Sequence, residues 1–210
     1  MAEVSRFGVI PKPTVIVRMK ENAHAFSISF RRMSYALVLD FTVGLSMNQT
    51  QTQLYPHAAT LRYAFVHAQW HEDIVLQAYN GFVSEAQKLG LAATQIDVFP
   101  VAGAYEIPLH SKKLAQTGKY ASIIACALVV DGGIYRHDFV ASTVVDALMR
   151  VQLDTETPVF SVVLTPHHFH EAGPHYAFFS DHFVQKGAEA ARACLNTAES
   201  LTKIGELKTA

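Results

Sequence analysis

An α/β fold, a three-layer sandwich with a four-stranded parallel sheet flanked by helices, is what the sequence predicts, and three observations carry that prediction. Segments of strand character and segments of helical period alternate four times from Leu61 to about Leu201, the pattern of a parallel sheet whose crossovers are helices. The apolar run at 121–130, ASIIACALVV, shows no polar alternation, as expected of a central strand covered on both faces. The run then stops at Gly132-Gly133, which permit backbone conformations closed to other residues. Beyond Tyr135, Arg136, His137 and Asp138, the residues Val140, Val144, Ala147, Leu148 and Val151 recur at helical spacing. A strand ends there, the chain turns and a helix begins.

The other elements follow from the same signals. RYAFVHA (62–68) reads as the first strand. Its helix carries Ile74, Ala78, Phe82, Ala86 and Leu89 on one face and is closed by Gly90, the residue that takes the left-handed C-terminal position most readily. TQIDVFPV (94–101) is the second strand and AGAYE its loop; Pro108 suits the first turn of a helix running to Gln116, with Gly118 as its stop. TPVFSVVLT (157–165) is the fourth strand. A turn-rich stretch, PHHFHEAGPHYAFFSDH, precedes a last helix carrying Phe183, Gly187, Ala190, Ala191, Cys194 and Leu195. One domain is expected over 59–204, with a short tail at 205–210. Residues 1–58 are unlike the rest: Arg18, Lys20, Arg31 and Arg32 mix with apolar patches of no clear period. They are expected to form an extension, disordered or, ahead of Met47, not translated. Asp40 interrupts the most apolar stretch there, against a signal-peptide reading.

Composition narrows the function. Half of the 210 residues are hydrophobic and the formal charge is −1. No basic stripe points to nucleic acid, and no apolar run is long enough for a membrane span. Cys126 and Cys194 are far apart without a paired spacing, so buried free thiols in a reducing cytoplasm are expected. There is no nucleophile elbow, dinucleotide glycine motif or phosphate loop. Chemistry here would rest on positioning reactants and moving protons.

Four strand ends carry unusual residues: Trp70 after the first, Gly103-Ala104-Tyr105-Glu106 after the second, Arg136 with His137 after the third, and 161–165 with a histidine-rich loop after the fourth. Parallel topology gathers them on one edge of the sheet, where ligands of such folds bind. Each has a plainer reading. Trp70 could anchor a core or interface, Glu106 could complement a helix dipole, and His137 and Arg136 could be a capped histidine and a surface cation. The histidines at 167–170, with His175 and His182, fall among Pro166, Gly173 and Pro174. Such a loop offers no paired metal-ligand spacing, so the expectation is no metal and solvated histidines, one or two touching an anionic ligand.

In order and spacing, VAGAYEIPL (101–109), ALVVDGGIYRHDFV (127–140), PVFSVVLT (158–165) and QKG (185–187) resemble the motifs of the 6,7-dimethyl-8-ribityllumazine synthase family. The resemblance implies the flavodoxin-like fold of lumazine synthases and a cytoplasmic transferase of riboflavin biosynthesis, using no metal or organic cofactor. It would condense 5-amino-6-(D-ribitylamino)uracil with 3,4-dihydroxy-2-butanone 4-phosphate, releasing phosphate and water. It further implies a homo-oligomer, a pentamer or a dimer of pentamers, with active sites between subunits, and no nucleic-acid or membrane partner.

By the same resemblance, Trp70 stands where the family usually has a phenylalanine stacked on the pyrimidine. Ala104, Tyr105 and Glu106 match the segment that holds the ribityl chain and the amine substrate, and Leu128, Val129 and Val130 match the strand end whose backbone reads the pyrimidine edge. Ser161 replaces a phenylalanine contributed by the adjacent subunit. His175 falls where a phosphate-binding arginine is expected, and Lys186 retains a family lysine. Gly133 and Ile134 occupy the place of a threonine that often helps bind phosphate. An ungapped match puts Arg136, not His137, on the proton-transferring histidine, and both are carried as catalytic candidates. Trp70, DGGIYRHDFV and LTPHHFHE resemble the second, divergent type of the family, associated with decamers. The altered phosphate contacts leave two alternatives: a flavin- or lumazine-binding oligomer with weak or lost synthase activity, and an oligomeric scaffold with a vestigial site.

Overall fold

In a computed structural model, the structure describes residues 55–131, 136–167, 169 and 173–207. Strands β1 (Tyr63–Ala68), β2 (Ile96–Val101), β3 (Ser122–Leu128) and β4 (Val159–Leu164) form one sheet in the spatial order β2-β1-β3-β4, all parallel. Every residue of β1 and β3 is buried, which is why neither shows polar alternation. Pro100 lies in β2, an edge strand, where a residue without an N–H is tolerated.

Helices α1 (Glu72–Lys88) and α4 (Pro174–Leu207) cover one face, and α2 (Ile107–Ala115) and α3 (His137–Thr155) the other. The two-residue period of a strand sorts the side chains between these layers. Tyr63, Phe65, Ile124, Cys126 and Leu128 enter the first core, while Ala64, Val66, Ala68, Ile123, Ala125 and Ala127 enter the second. The first is the aromatic one: Phe65 meets Tyr79 and Phe82 edge to face, with centroids 5.2 and 5.8 Å apart. Burying a side chain of this size is worth about 1.5–3 kcal/mol.

The helix pair α1 and α4 runs side by side down the molecule. Tyr176 donates its hydroxyl to Asp73 near the start of both helices, and Arg192 reaches Glu85 at 2.6 Å further down. At the far end Glu199 accepts the backbone N–H groups of His57 and Ala58 at 3.1 and 3.2 Å.

Most expected elements are present, each strand one to three residues shorter than its apolar run. Two expectations need correction. The last helix begins at Pro174, ahead of the turn-rich stretch's end, because Gly173 takes φ 77 and Pro174 then opens the helix, a position that needs no N–H. His175 and His182 are therefore helical, not loop residues. The domain also starts before residue 59, since Tyr55 and Ala58 are buried in the first core. The expectations for residues 1–54, Met47 among them, lie outside the described residues. Cys126 and Cys194 are free and buried, and burial pushes the Cys194 thiol up to about 12. Among the described residues no helix is long and apolar enough to cross a membrane.

Candidate active site at the carboxyl ends of the strands

A parallel sheet brings all its carboxyl ends to one edge, where the order here is Val101, Ala68, Leu128, Leu164. With neighbouring strands about 4.8 Å apart, the four ends span roughly 15 Å. β1 and β3 are adjacent, yet β1 leads to α1 in one layer and β3 leads to α3 in the other. The chain direction across the sheet therefore reverses between β1 and β3, and it is beyond the carboxyl ends at such a switch point that open α/β sheets hold ligands.

Trp70 lies beside this switch point, two residues beyond β1. The N–H of Gln69 bonds to Val101 O at 2.9 Å on one side, and on the other His71 takes φ 54 and ψ 40 before α1 starts. A left-handed non-glycine residue costs about 1–3 kcal/mol, so the surrounding structure enforces this turn. The indole is 71 % exposed, which removes the reading of Trp70 as a core anchor.

Beyond β2, a 3-10 turn (Ala104–Glu106) leads into α2. Ala104 packs on the second core, whereas Tyr105 is exposed. The Glu106 side chain makes no capping bond to α2. Its Oε2 folds back over Gly103, 3.3 Å from where a Cβ would stand, so a side chain at 103 would crowd the carboxylate.

Beyond β3, Leu128 faces the first core and Val129 the second, with Val130 partly buried against the first. The N–H of Val129 is already given to Leu164 O at 2.9 Å, so a ligand reading this backbone must use other groups. Asp131 Oδ1 then accepts the backbone N–H of His137 and faces its Nδ1, both at 2.8 Å. The His137 N–H first, and its ring second, hold the Asp131 carboxyl below the usual carboxylate range. Arg136 is engaged differently. Its Nε and one terminal nitrogen donate to Asp138 at 3.2 and 2.6 Å, and the guanidinium lies 4.6 Å from the Phe139 ring centroid. Gly133 and Ile134 lie outside the described residues.

The fourth strand contributes differently from expectation. Ser161 lies midway along β4, opposite Ala125, and its Oγ accepts the Val163 N–H at 3.4 Å. It is thus set back from the rim of its own chain. His175, the second residue of α4, stands edge-on to Phe179 with centroids 6.4 Å apart. Phe179 also meets Phe169, Phe169 meets His71, and His182 stacks on Phe178 at 5.7 Å. These rings tie Phe169 to the start of α1 and set His175 and His182 against aromatic rings, whereas His167 is exposed. Among the described residues no group of three or more His, Cys, Asp or Glu side chains could hold a metal. Lys186 is twelve residues into α4, about 18 Å along the axis, and pairs with Glu189 at 2.7 Å. Within one chain the structure gathers Trp70, Ala104–Glu106, Leu128, Val129, Val130, Arg136, His137 and His175 at one edge, and leaves Ser161 and Lys186 away from it.

The partner that sequence reasoning missed is Asp131. An acidic residue just past an apolar strand, six positions before a histidine that opens a helix, was the available signal.

Comparison with known proteins identifies the family. A family model described as 6,7-dimethyl-8-ribityllumazine synthase matches residues 60–202. The 6,7-dimethyl-8-ribityllumazine synthase 2 of Pseudomonas syringae pv. tomato is 60 % identical over 147 residues, 70 % of this chain and 85 % of that one. A 6,7-dimethyl-8-ribityllumazine synthase of Rhodococcus erythropolis is 61 % identical over 140 residues, 67 % of this chain and 90 % of its own. The 6,7-dimethyl-8-ribityllumazine synthase 2 of Bradyrhizobium diazoefficiens is 56 % identical over 143 residues, covering 68 % and 86 %.

Proposed function

The chain belongs to the 6,7-dimethyl-8-ribityllumazine synthase family, and we propose that it condenses 5-amino-6-(D-ribitylamino)uracil with 3,4-dihydroxy-2-butanone 4-phosphate. The observation that carries this reading is the switch point between β1 and β3, with the exposed indole of Trp70 just beyond β1 and His137, held by Asp131, just beyond β3.

The pyrimidine stacks on Trp70 while Ala104, Tyr105, Glu106 and the backbone of 128–130 orient it and its ribityl chain. The 5-amino nitrogen adds to the butanone carbonyl and water leaves, giving an imine. Loss of a proton and departure of phosphate generate an enol, which returns to a carbonyl. The ribitylamino nitrogen closes on that carbonyl and a second water is lost. Each step moves a proton, and His137 is the group suited to carry it, because an arginine stays protonated throughout. Arg136, with His175, Gly133 and Ile134, meets the phosphate. Holding two reactants in register removes about 7–11 kcal/mol of barrier.

The functional unit is a homo-oligomer with sites between subunits, a pentamer or a dimer of pentamers of the second type. Val145, Met149 and Leu153 support this: they form an uncovered apolar stripe along one flank of α3, beside the face that α3 buries in its own chain. Ser161 and Lys186, distant from the rim of their own chain, fit this arrangement as contributors to a neighbour's site. The buried unpaired thiols suit a reducing cytoplasm.

The test is steady-state formation of the lumazine from the two substrates, followed by its absorbance alongside released phosphate. One phosphate per lumazine is expected. Tight binding of the pyrimidine or of riboflavin without turnover would overturn the synthase reading in favour of a binding protein.

A further inference from the structure

We infer that Asp131 is a positioning residue for His137, fixing the imidazole so that Nδ1 keeps its proton and Nε2 exchanges protons with the reacting substrates. The inference rests on the synthase reading and deepens it.

A single oxygen makes both contacts: Asp131 Oδ1 lies 2.8 Å from the His137 backbone nitrogen and 2.8 Å from Nδ1. The backbone bond satisfies one of the first N–H groups of α3, which have no partner within the helix. A cap needs only that bond, so the second contact, to the ring, is not explained by capping. An ionised carboxylate can only accept, so the ring nitrogen facing it must carry the hydrogen. That choice of tautomer leaves Nε2 as the basic nitrogen. The ring is held from two directions, by its own backbone through α3 and by Asp131 at the end of β3. His137 is also the more sheltered partner, with its side chain 18 % exposed against 63 % for Asp131.

The neighbouring charge cannot do this work. Arg136 is committed to Asp138 and to the Phe139 ring, and guanidinium does not release a proton in the working range of an enzyme. Among the described residues the charged groups beside His137 are therefore Asp131, Arg136 and Asp138, and of these Asp131 is the one that contacts its ring.

Asp131→Asn tests this, because the amide keeps the size of the side chain but can turn either its oxygen or its NH2 to the ring, so it no longer dictates which ring nitrogen carries the hydrogen. With general acid–base catalysis worth about 10²–10⁴-fold, kcat is expected to fall at least about tenfold. KM for either substrate should stay within about twofold. In a His137→Gln background the same substitution should cost nothing further, since the two residues act as a unit. An Asn variant with the wild-type kcat would overturn the inference, as would an equal loss in both backgrounds. If the Asn variant assembles poorly, Asp131→Ser, which retains an oxygen for the backbone N–H, is compared in the same two backgrounds. Wild-type protein in the same run separates the failures. No lumazine from it sinks the synthase reading and this inference together, whereas normal wild-type turnover with an unaffected Asn variant sinks the inference alone.

Discussion

Gly187 of α4 lies directly against the carbonyl oxygen of Ala78 in α1, so that a Cβ on Gly187 would overlap that backbone group. Gly81 of α1 stands in the same relation to Val184 of α4. Two glycines, one on each helix, let the backbones approach and set the layer that covers β1 and β3.

Gly187→Ala should therefore destabilise the protein, by about 1–3 kcal/mol or more, because backbone cannot move aside as a side chain would. Gly205→Ala is the control. That glycine is helical with nothing within 4 Å of an added Cβ, so the substitution should stabilise by about 0.5–1 kcal/mol through helix propensity. Thermal unfolding at fixed protein concentration reads both; shifts of the same sign would refute the account of this crossing.

The contact between His57 and Glu199 makes part of the stability depend on pH. Glu199 accepts the N–H groups of His57 and Ala58 and faces His57 Nδ1 at 2.9 Å. The hydrogen bond to Glu199 raises the His57 pKa above 6.5, and the same bond first, then the backbone donors, lower that of Glu199 below 4.5. The His57 contribution is complete below its unfolded value and is lost as pH rises through its raised folded value. The Glu199 contribution is present above its unfolded value and is lost as pH falls through its lowered one. The gap in unfolding midpoint between wild type and His57→Ala should be widest near pH 5.5 and narrow by pH 8.5. A gap unchanged across that range would show that the ion pair contributes nothing.

Where side-chain period decided the structure, the sequence was readable. The apolar run of β3 reads as a strand buried on both faces, and Ile74, Ala78, Phe82 and Ala86 mark the buried stripe of α1. The start of α4 was not readable, because the histidines, Gly173 and Pro174 look like loop until Gly173 is seen to turn the chain into the helix. In the site, the residues at the ends of β1, β2 and β3 followed from topology alone. Asp131 did not, since its meaning depends on a bond to His137, six positions on. Ser161 midway along β4 and Lys186 partway down α4 were placed on those elements by the sequence, but their distance from the rim of their own chain is read only from the structure.

Trp70→Ala separates binding from folding. The indole is so exposed that removing it should change stability by no more than about 0.5 kcal/mol. Loss of a stacked ring should weaken pyrimidine binding by about 1–3 kcal/mol. Calorimetric titration with the pyrimidine substrate reads the second quantity, and an unchanged affinity would remove the stacking role.

Arg136→Ala should act on binding more than on chemistry. Its guanidinium is held at the start of α3 by Asp138 and Phe139, a place where an anion gains from both the charge and the helix dipole. The expected result is a KM for the butanone phosphate raised about tenfold, the value of roughly 1.4 kcal/mol, with kcat reduced less than in His137→Ala. A variant that loses kcat while keeping KM would exchange the roles given to these neighbours.

The apolar flank of α3 makes the last prediction. Val145, Met149 and Leu153 recur every four residues and are 42, 54 and 69 % exposed, so they line one side of the helix beside its buried stripe. A second chain covering them would remove this surface from water at about 25 cal/mol per Å², and a charge placed in the middle would have to be buried unpaired. Met149→Glu should leave each chain folded, because that side chain makes little use of its own core, yet break the assembly into smaller species by sedimentation. Turnover should fall with the loss of assembly, since Ser161 and Lys186 can then no longer serve a neighbour. An unchanged sedimentation coefficient would place the interface on some other surface; a smaller species with full activity would instead deny that the site needs two chains.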